Sequence, residues 1–383
     1  MKKVLIIGPS LLDELGHFEY INEISKGISS SYDVSTVCQS YPESLLNKKE
    51  FDRYKIIQKD FLDFPNKKNS SENTINFKSN NLFSYIFPIY RRVKFYWSFY
   101  KYASKKKGHG LLMLEVEPIL LFIFLIFHKL NYKKIIITLH AVDFDSHSGI
   151  KNIYKKILRA LIQGLSSKID KFAVHSKGAR RRLQDIGIPS EKIFISGWGF
   201  NPKPSQKKEN KNKISVLSFG VLRKQKRLDL LTQLFLDADT SKLQLKIIGK
   251  CMDTNLVELK QMIRASNSST SIAIEDRYVP EDDVDNIFFD SDIVVLSHDK
   301  SFSSVSGPLF QAISYKKPIL CFSYNDVRDL VHEEKLGTIV DFDKVKPDEL
   351  ESICLELLQN NAKPNFNFFS WDNISERIAE ELK

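Results

Sequence analysis

Short apolar runs alternate with stretches of helical spacing over most of this chain. Residues 4–7 (VLII), 34–37, 111–114, 135–139 and 172–174 are brief β-branched or aliphatic segments set between polar residues, which predicts buried strands. Residues 18–28 predict the first helix, and Ser176 is placed to cap a helix running through Leu183. Residues 65–80 are rich in Asn, Ser and Lys and predict a loop. The apolar pattern lapses at 201–213, which holds two Pro, many Lys and Asn and almost nothing apolar. It then restarts, with strands predicted at 214–219, 243–248 and 272–274 and helices near 228–235 and 256–265. Strands alternating with helices imply parallel sheets. Two such series predict an N-terminal domain over 1–200, a linker over 201–213 and a second domain over 214–365, with a cleft between the domains. Residues 366–383 predict a closing helix that packs through Trp371.

The most informative stretch is 291–320, SDIVVLSHDKSFSSVSGPLFQAISYKKPIL. It reads as a strand over 293–296, a polar loop, a helix and a further strand from Ile319. Ser306 suits the N-cap, and Pro308 the first turn, where a missing N–H has no partner to lose. A helix N-terminus at the carboxyl end of a parallel strand offers amides and a dipole to an anion. The same pattern also serves an ordinary strand-to-helix turn.

At 383 residues the chain exceeds one ordinary core, and 42% hydrophobic with 27% charged residues fits a soluble globular protein. Four Cys, none in a C-x-x-C pair, point to a reducing compartment and away from a structural zinc site. The apolar run at 4–7 is too short for a signal core. The longest apolar run, 119–127, falls well short of the ~20 residues that cross a bilayer, so the expected location is the cytoplasm. The net charge of +10 is uneven: residues 1–205 carry 33 Lys+Arg against 18 Asp+Glu, and the rest 24 against 29. The basic half is expected to meet a polyanion or an anionic membrane. Residues 82–107 concentrate that trend, with aromatics among Lys and Arg and no acid. Such a stretch suits a membrane interface, an RNA patch or a half-buried helix pair with a solvated basic face.

Candidate chemistry gathers at strand ends. In FGVLRKQKR (219–227), Gly220 permits close backbone approach, and four cations in five positions can neutralise a diphosphate; a solvated basic loop reads the same way. Gly249 closes the strand LKIIG, and Arg277-Tyr278-Val279-Pro280 follows another. Thr138-Leu139-His140 ends a strand with a residue suited to proton exchange or to a structural hydrogen bond, and Asp143 follows as a candidate base. Gly16, His17 and Glu19 are expected in or beside the loop after the first strand.

The C-terminal half resembles the nucleotide-binding domain of GT-B glycosyltransferases, in particular the retaining family that builds bacterial cell-surface polysaccharides. Gln311-Ala312-Ile313-Ser314 and Lys317-Pro318-Ile319 follow that family's "E-A-M-A-x-G-x-P-V" segment. Gly220 and Lys226 match its "G-R-x-x-x-x-K-G" loop, and Thr138-Leu139-His140 resembles its "t-x-H" strand end. The resemblance implies an α/β GT-B chain: two Rossmann-like domains with parallel sheets facing a central cleft, and a C-terminal helix crossing back to the first domain. It implies a nucleotide diphosphate sugar as donor and a lipid-linked or polysaccharide acceptor, with no cofactor, metal or nucleic acid. Gly220, Arg223, Lys226, Gly249, the backbone of Tyr278 and Val279, Ser303, Ser306, Gly307 and Gln311 would hold the donor. His140 would lie near the transferred sugar, Asp143 is the base of an inverting alternative, and Gly16, His17 and Glu19 would face the acceptor. The protein would sit peripherally at the inner face of the cell membrane. Val221 replaces the family's Arg, with Arg223 as a substitute, and Ser303 and Gln311 stand where the family has two glutamates. Those replacements leave room for a non-catalytic partner subunit; a non-hydrolysing nucleotide-sugar epimerase is the other reading.

Overall fold

Every strand pairing among the described residues of the computed structural model is parallel, the geometry that helical crossovers impose. The structure describes residues 1–8, 15–38, 55–58, 82–142, 150–204, 212–302, 304–359 and 366–383. The chain divides into two compact units: Met1–His175 with Arg180–Ser196 and Trp371–Lys383, and Ser176–Ala179 with Gly197–Ser370. The predicted loop over 65–80 and residues 205–211 of the predicted linker lie outside the described residues.

The first unit contains β1 (Lys3–Ile7), β2 (Asp33–Cys38), β3 (Lys55–Gln58), β4 (Lys107–Met113), β5 (Asn131–Thr138), β6 (Lys171–Val174) and β7 (Ile193–Ile195), in the order β3-β2-β1-β4-β5-β6-β7. The helices along this stretch are α1 (Leu15–Ile28), α2 (Leu82–Ser104), α3 (Pro118–Phe127), α4 (Ile150–Leu165) and α5 (Lys177–Asp185). Strand order reverses between β1 and β4. Right-handed crossovers therefore set α1 on one face of the sheet and α2, α3 and α4 on the other. With both faces covered, Val4 to Ile7 and Leu111 to Met113 are buried without alternation.

Two expectations change, and one apolar run gains its element. Helix α1 begins at Leu15, so Gly16, His17 and Glu19 lie in its first turns and outside any loop. The apolar run 119–127 is α3, with Pro118 in its first turn. The basic aromatic stretch is the single helix α2, running on into β4, and four of its rings face inward: Phe95, Tyr96, Phe99 and Tyr100 are buried. Their spacing, with Ala103, forms one helical stripe, and that stripe is core. Trp97 turns its ring edge to Phe124 of α3, 5.1 Å between centroids.

In the second unit, β8 (Ile214–Phe219), α6 (Leu228–Asp237), β9 (Leu243–Gly249), α7 (Leu256–Ala265), β10 (Ser271–Asp276) and α8 (Glu281–Phe289) follow in turn. β11 (Ile293–Leu296), α9 (Gly307–Ser314), β12 (Ile319–Cys321), α10 (Asn325–Glu333), β13 (Gly337–Ile339) and α11 (Leu350–Gln359) complete it. The sheet order is β10-β9-β8-β11-β12-β13, reversing between β8 and β11. Ser306 occupies the N-cap of α9, but its hydroxyl makes no capping hydrogen bond; Pro308 fixes the helix start. The last helix, α12 (Trp371–Glu381), belongs to the first unit and lies against α1. Trp371, Ile374 and Ile378 are buried there, and a Cβ on Gly27 would stand 2.1 Å from Ser375 Oγ, so only glycine allows that approach.

Candidate functional site

The reversal between β8 and β11 opens a crevice at the carboxyl ends of the strands, where doubly wound sheets bind ligands. Four sequence candidates meet in it. Gly220, one residue past β8, has φ +92°, and a Cβ there would lie 3.2 Å from Pro308 Cγ and 3.4 Å from Lys226 Nζ. Gly249, at the end of β9, has φ +157°, and a Cβ there would lie 2.0 Å from the Gly220 carbonyl oxygen. Neither position admits a side chain. Gly220, Gly249, Lys226 and the first turn of α9 therefore share one small volume. A Cβ on Gly307 would meet nothing within 4 Å, so the first amides of α9 front open space.

Lys226 sets the electrostatics. It is 9% exposed, its Nζ donates to the Phe219 carbonyl oxygen, and among the described residues it has no carboxylate partner. Burial, with a smaller push from Arg223, holds its amine down at about 7. Arg223 is exposed and unpaired among the described residues. Ser297, just past β11, donates its hydroxyl to the Lys226 carbonyl and ties this loop to the next strand end. Gln311 lies one turn into α9, half-buried, its amide unpaired among the described residues. The Arg277 N–H donates to the Gly249 carbonyl oxygen at 3.2 Å, bringing the loop of Tyr278 and Val279 to the same rim. Tyr278 is exposed there, and Val279 packs on the core. Ser303 lies outside the described residues; Ser306 is buried at the α9 cap.

In the first unit, His140 follows β5. Its Nε2 lies 2.6 Å from the Leu114 carbonyl oxygen, which can only accept, so that nitrogen carries the proton. Nδ1 is then an acceptor, and His175 Nε2 donates to it at 2.8 Å. Both ring nitrogens of His140 are thus engaged within the fold. Tyr20 of α1 turns its ring against both histidines, at 5.7 and 5.6 Å between centroids, and against Trp371 at 5.8 Å. Burial pushes its hydroxyl up to about 12. Asp143 lies outside the described residues, and Gly16, His17 and Glu19 are placed by backbone alone.

Sequence reasoning missed one residue of these clusters and one pairing. His298, two residues past β11, is 5% exposed; burial and the nearby Lys226 hold it down at about 3, and Ser323 Oγ lies 3.2 Å from its Nδ1. Its position directly after a β-branched run was the available signal. The His140–His175 pair follows from register: Thr138 pairs with Ala173, which brings the residues two further along on each strand together.

Residues 200–366 match the family Glycosyl transferases group 1. No curated protein matches the chain by sequence. Several solved structures share its fold over nearly its full length. A lipopolysaccharide outer core galactosyltransferase, WaaB, in its apo form, is 15% identical with a TM-score of 0.62, covering 99% of each chain. Anabaena Alr3699/HepE, solved with UDP and glucose, is 13% identical with a TM-score of 0.62, covering 100% of this chain and 99% of its own. Sucrose-phosphate synthase from Thermosynechococcus elongatus is 11% identical with a TM-score of 0.64, covering 99% and 98%. At such identities the likeness is one of fold. The group 1 match, over residues 200–366, covers the unit that holds Gly220, Lys226 and Gly249, and the chain as a whole has the GT-B fold.

Proposed function

We propose that this protein moves a glycosyl group from a nucleotide diphosphate sugar to a lipid-linked or polysaccharide acceptor in bacterial surface glycoconjugate synthesis. Lys226 carries the reading: a buried amine without a carboxylate partner among the described residues, facing Gly220 and the α9 N-terminus, is prepared for an anion. The donor diphosphate would lie there, with Arg223 at its outer side and Gln311 on the ribose hydroxyls. Tyr278 and Val279 would border the base. When the bond from the anomeric carbon to the diphosphate breaks, its electron pair stays on the phosphate oxygen, where Lys226, Arg223 and the α9 amides stabilise it. The acceptor hydroxyl bonds to that carbon and gives its proton to the departing diphosphate, with retention of configuration. The engagement of both His140 nitrogens supports this route over one in which His140 takes the proton. His140 then shapes the sugar pocket. The reading needs no metal or other cofactor. It places the protein in the cytoplasm, peripherally on the inner membrane face.

A second reading, a non-catalytic partner subunit of a glycosyltransferase, is favoured by the neutral Gln311 and by Ser303 at the positions of the two glutamates. One assay separates them. UDP, GDP and ADP release is followed from a panel of sugar nucleotides, with and without membrane lipid extract. The expected result is lipid-dependent release of one nucleotide, reduced ~10–100-fold in Lys226→Ala as a charge-assisted hydrogen bond is lost. Silence across the panel from folded protein, with weak or no nucleotide binding, would favour the second reading.

A further inference from the structure

We infer that the face of the first unit built by α2, α3 and α4 docks on an anionic lipid bilayer, with the end of α3 and the start of α4 entering the headgroup region. The inference rests on the lipid-linked acceptor reading for its purpose and on three observations for its existence.

Apolar side chains stand uncovered where a soluble helix would bury them. Ile126 and Phe127 at the end of α3 are 56% and 73% exposed, and Ile153 and Ile157 on α4 are 62% and 50% exposed. On α4 the apolar positions recur at helical spacing along one stripe. Ile162 and Leu165, at its C-terminal end, are buried, while Ile153 and Ile157, nearer its N-terminal end and turned away from Ile162, face solvent. Helix α3 packs between its neighbours, through Phe124 on Trp97 of α2 and through Phe122 against Gly164 of α4.

Charge completes the pattern. Helices α2 and α4 carry Lys and Arg, α3 carries no charge, and none of the three has Asp or Glu. Lys94, Lys101, Lys129 and Lys156 are exposed, and none has a carboxylate partner among the described residues. A recess of about 470 Å³ opens beside Phe127, with Ile126 and Leu130 in its wall and Lys129 and Lys168 at its rim. Apolar wall under a cationic rim matches an acyl chain beneath a phosphate headgroup. A second copy of this chain would present the same cations and be repelled, so a uniformly anionic sheet is the occupant. The surface also differs from the one the sequence suggests, because Phe95, Tyr96, Phe99 and Tyr100 of α2 are core and the apolar contacts come from α3 and α4.

The test is co-sedimentation of the full chain with vesicles of pure phosphatidylcholine or of phosphatidylcholine with one-third phosphatidylglycerol. Retention is expected on the anionic vesicles alone, released by ~0.5 M salt as screening shortens the Debye length. Ile126→Ser with Phe127→Ser, Ile157→Ser, and Lys129→Glu with Lys156→Glu should each lower retention about tenfold with an unchanged melting temperature. Equal retention on both vesicle types overturns the inference, as does undiminished retention in all three variants. A dimer in solution that Phe127→Ser dissolves would give the face to a second copy and overturn it too. Lys226→Ala should lose nucleotide binding and keep vesicle retention. If no nucleotide binds but vesicle retention responds as expected, the enzymatic reading fails and the docking surface stands.

Discussion

Lys226 is a cation buried without a counter-charge among the described residues, and a specific pH behaviour follows. Its amine is held at about 7, against 10.5 for the ordinary group. Between those values the unfolded chain binds more protons at this site than the folded one. Its burial therefore costs stability in full below about 7, and the cost fades as pH rises toward 10.5. Anion binding runs the other way. A diphosphate favours the charged amine, so affinity is expected to be greatest below about 7 and to fall as pH rises through it. The slope approaches about one decade per pH unit for one linked proton, until the pKa of the complex is reached. A sugar nucleotide is the proper probe, since its diphosphate is esterified at both ends and does not titrate there. His298, held at about 3, stays neutral throughout and adds nothing to the profile. Binding measured by calorimetry from pH 6 to 9 checks this: wild type should lose affinity with pH, and Lys226→Met should be weak and flat. A wild-type profile as flat as the variant's would show that Lys226 is not the anion's partner.

At the scale of elements, the difference between what the pattern predicts and what the fold does lies in which face a helix buries. The strands were legible because buried parallel strands are continuous apolar runs, as 4–7 and 293–296 are. The strands β3, β7 and β13 went unread, whereas the equally short β11 and β12 were legible because a helix signal lies between them. The site was legible where chemistry follows a strand end, as at Gly220, Lys226 and Gly249. It was not legible where it depends on strand register, which sets His175 against His140. Helix α2 shows the ambiguity most plainly. Its aromatics and cations suit a membrane, yet Phe95, Tyr96, Phe99 and Tyr100 fill the core under Phe124 of α3. Phe99→Ala should therefore cost ~3–5 kcal/mol of first-unit stability by leaving a cavity. Lys101→Ala, on the exposed face, should stay within ~0.5 kcal/mol. Urea titration of both variants decides it. An unchanged midpoint in Phe99→Ala together with lost vesicle retention would return the rings to the surface.

At the scale of the whole chain, the covalent order and the packing order differ, and that has a thermodynamic consequence. Helix α12 comes last in sequence, after the entire second unit, yet it is part of the first. It buries Trp371, Ile374 and Ile378, Leu382 follows them inside, and a Cβ on Gly110 would stand 2.7 Å from Leu382 Cδ2. Its neighbours on α1 and β4 are shaped for it, glycine against side chain. Each fully buried apolar side chain is worth ~1.5–3 kcal/mol, so four together rival the ~5–15 kcal/mol that a domain has in total. Removing 371–383 should thus unfold the first unit, whose strands lie hundreds of residues upstream, and spare the second, which is adjacent in sequence. Trp371→Ala should lower the first unit's melting temperature without unfolding it. Calorimetry of the full chain and the truncation, each with and without the sugar nucleotide that the release assay identifies, tests the assignment. The transition that ligand shifts upward belongs to the second unit and should survive truncation, while the other is lost. Loss of the ligand-shifted transition, with the other intact, would mean that α12 stabilises the unit it follows.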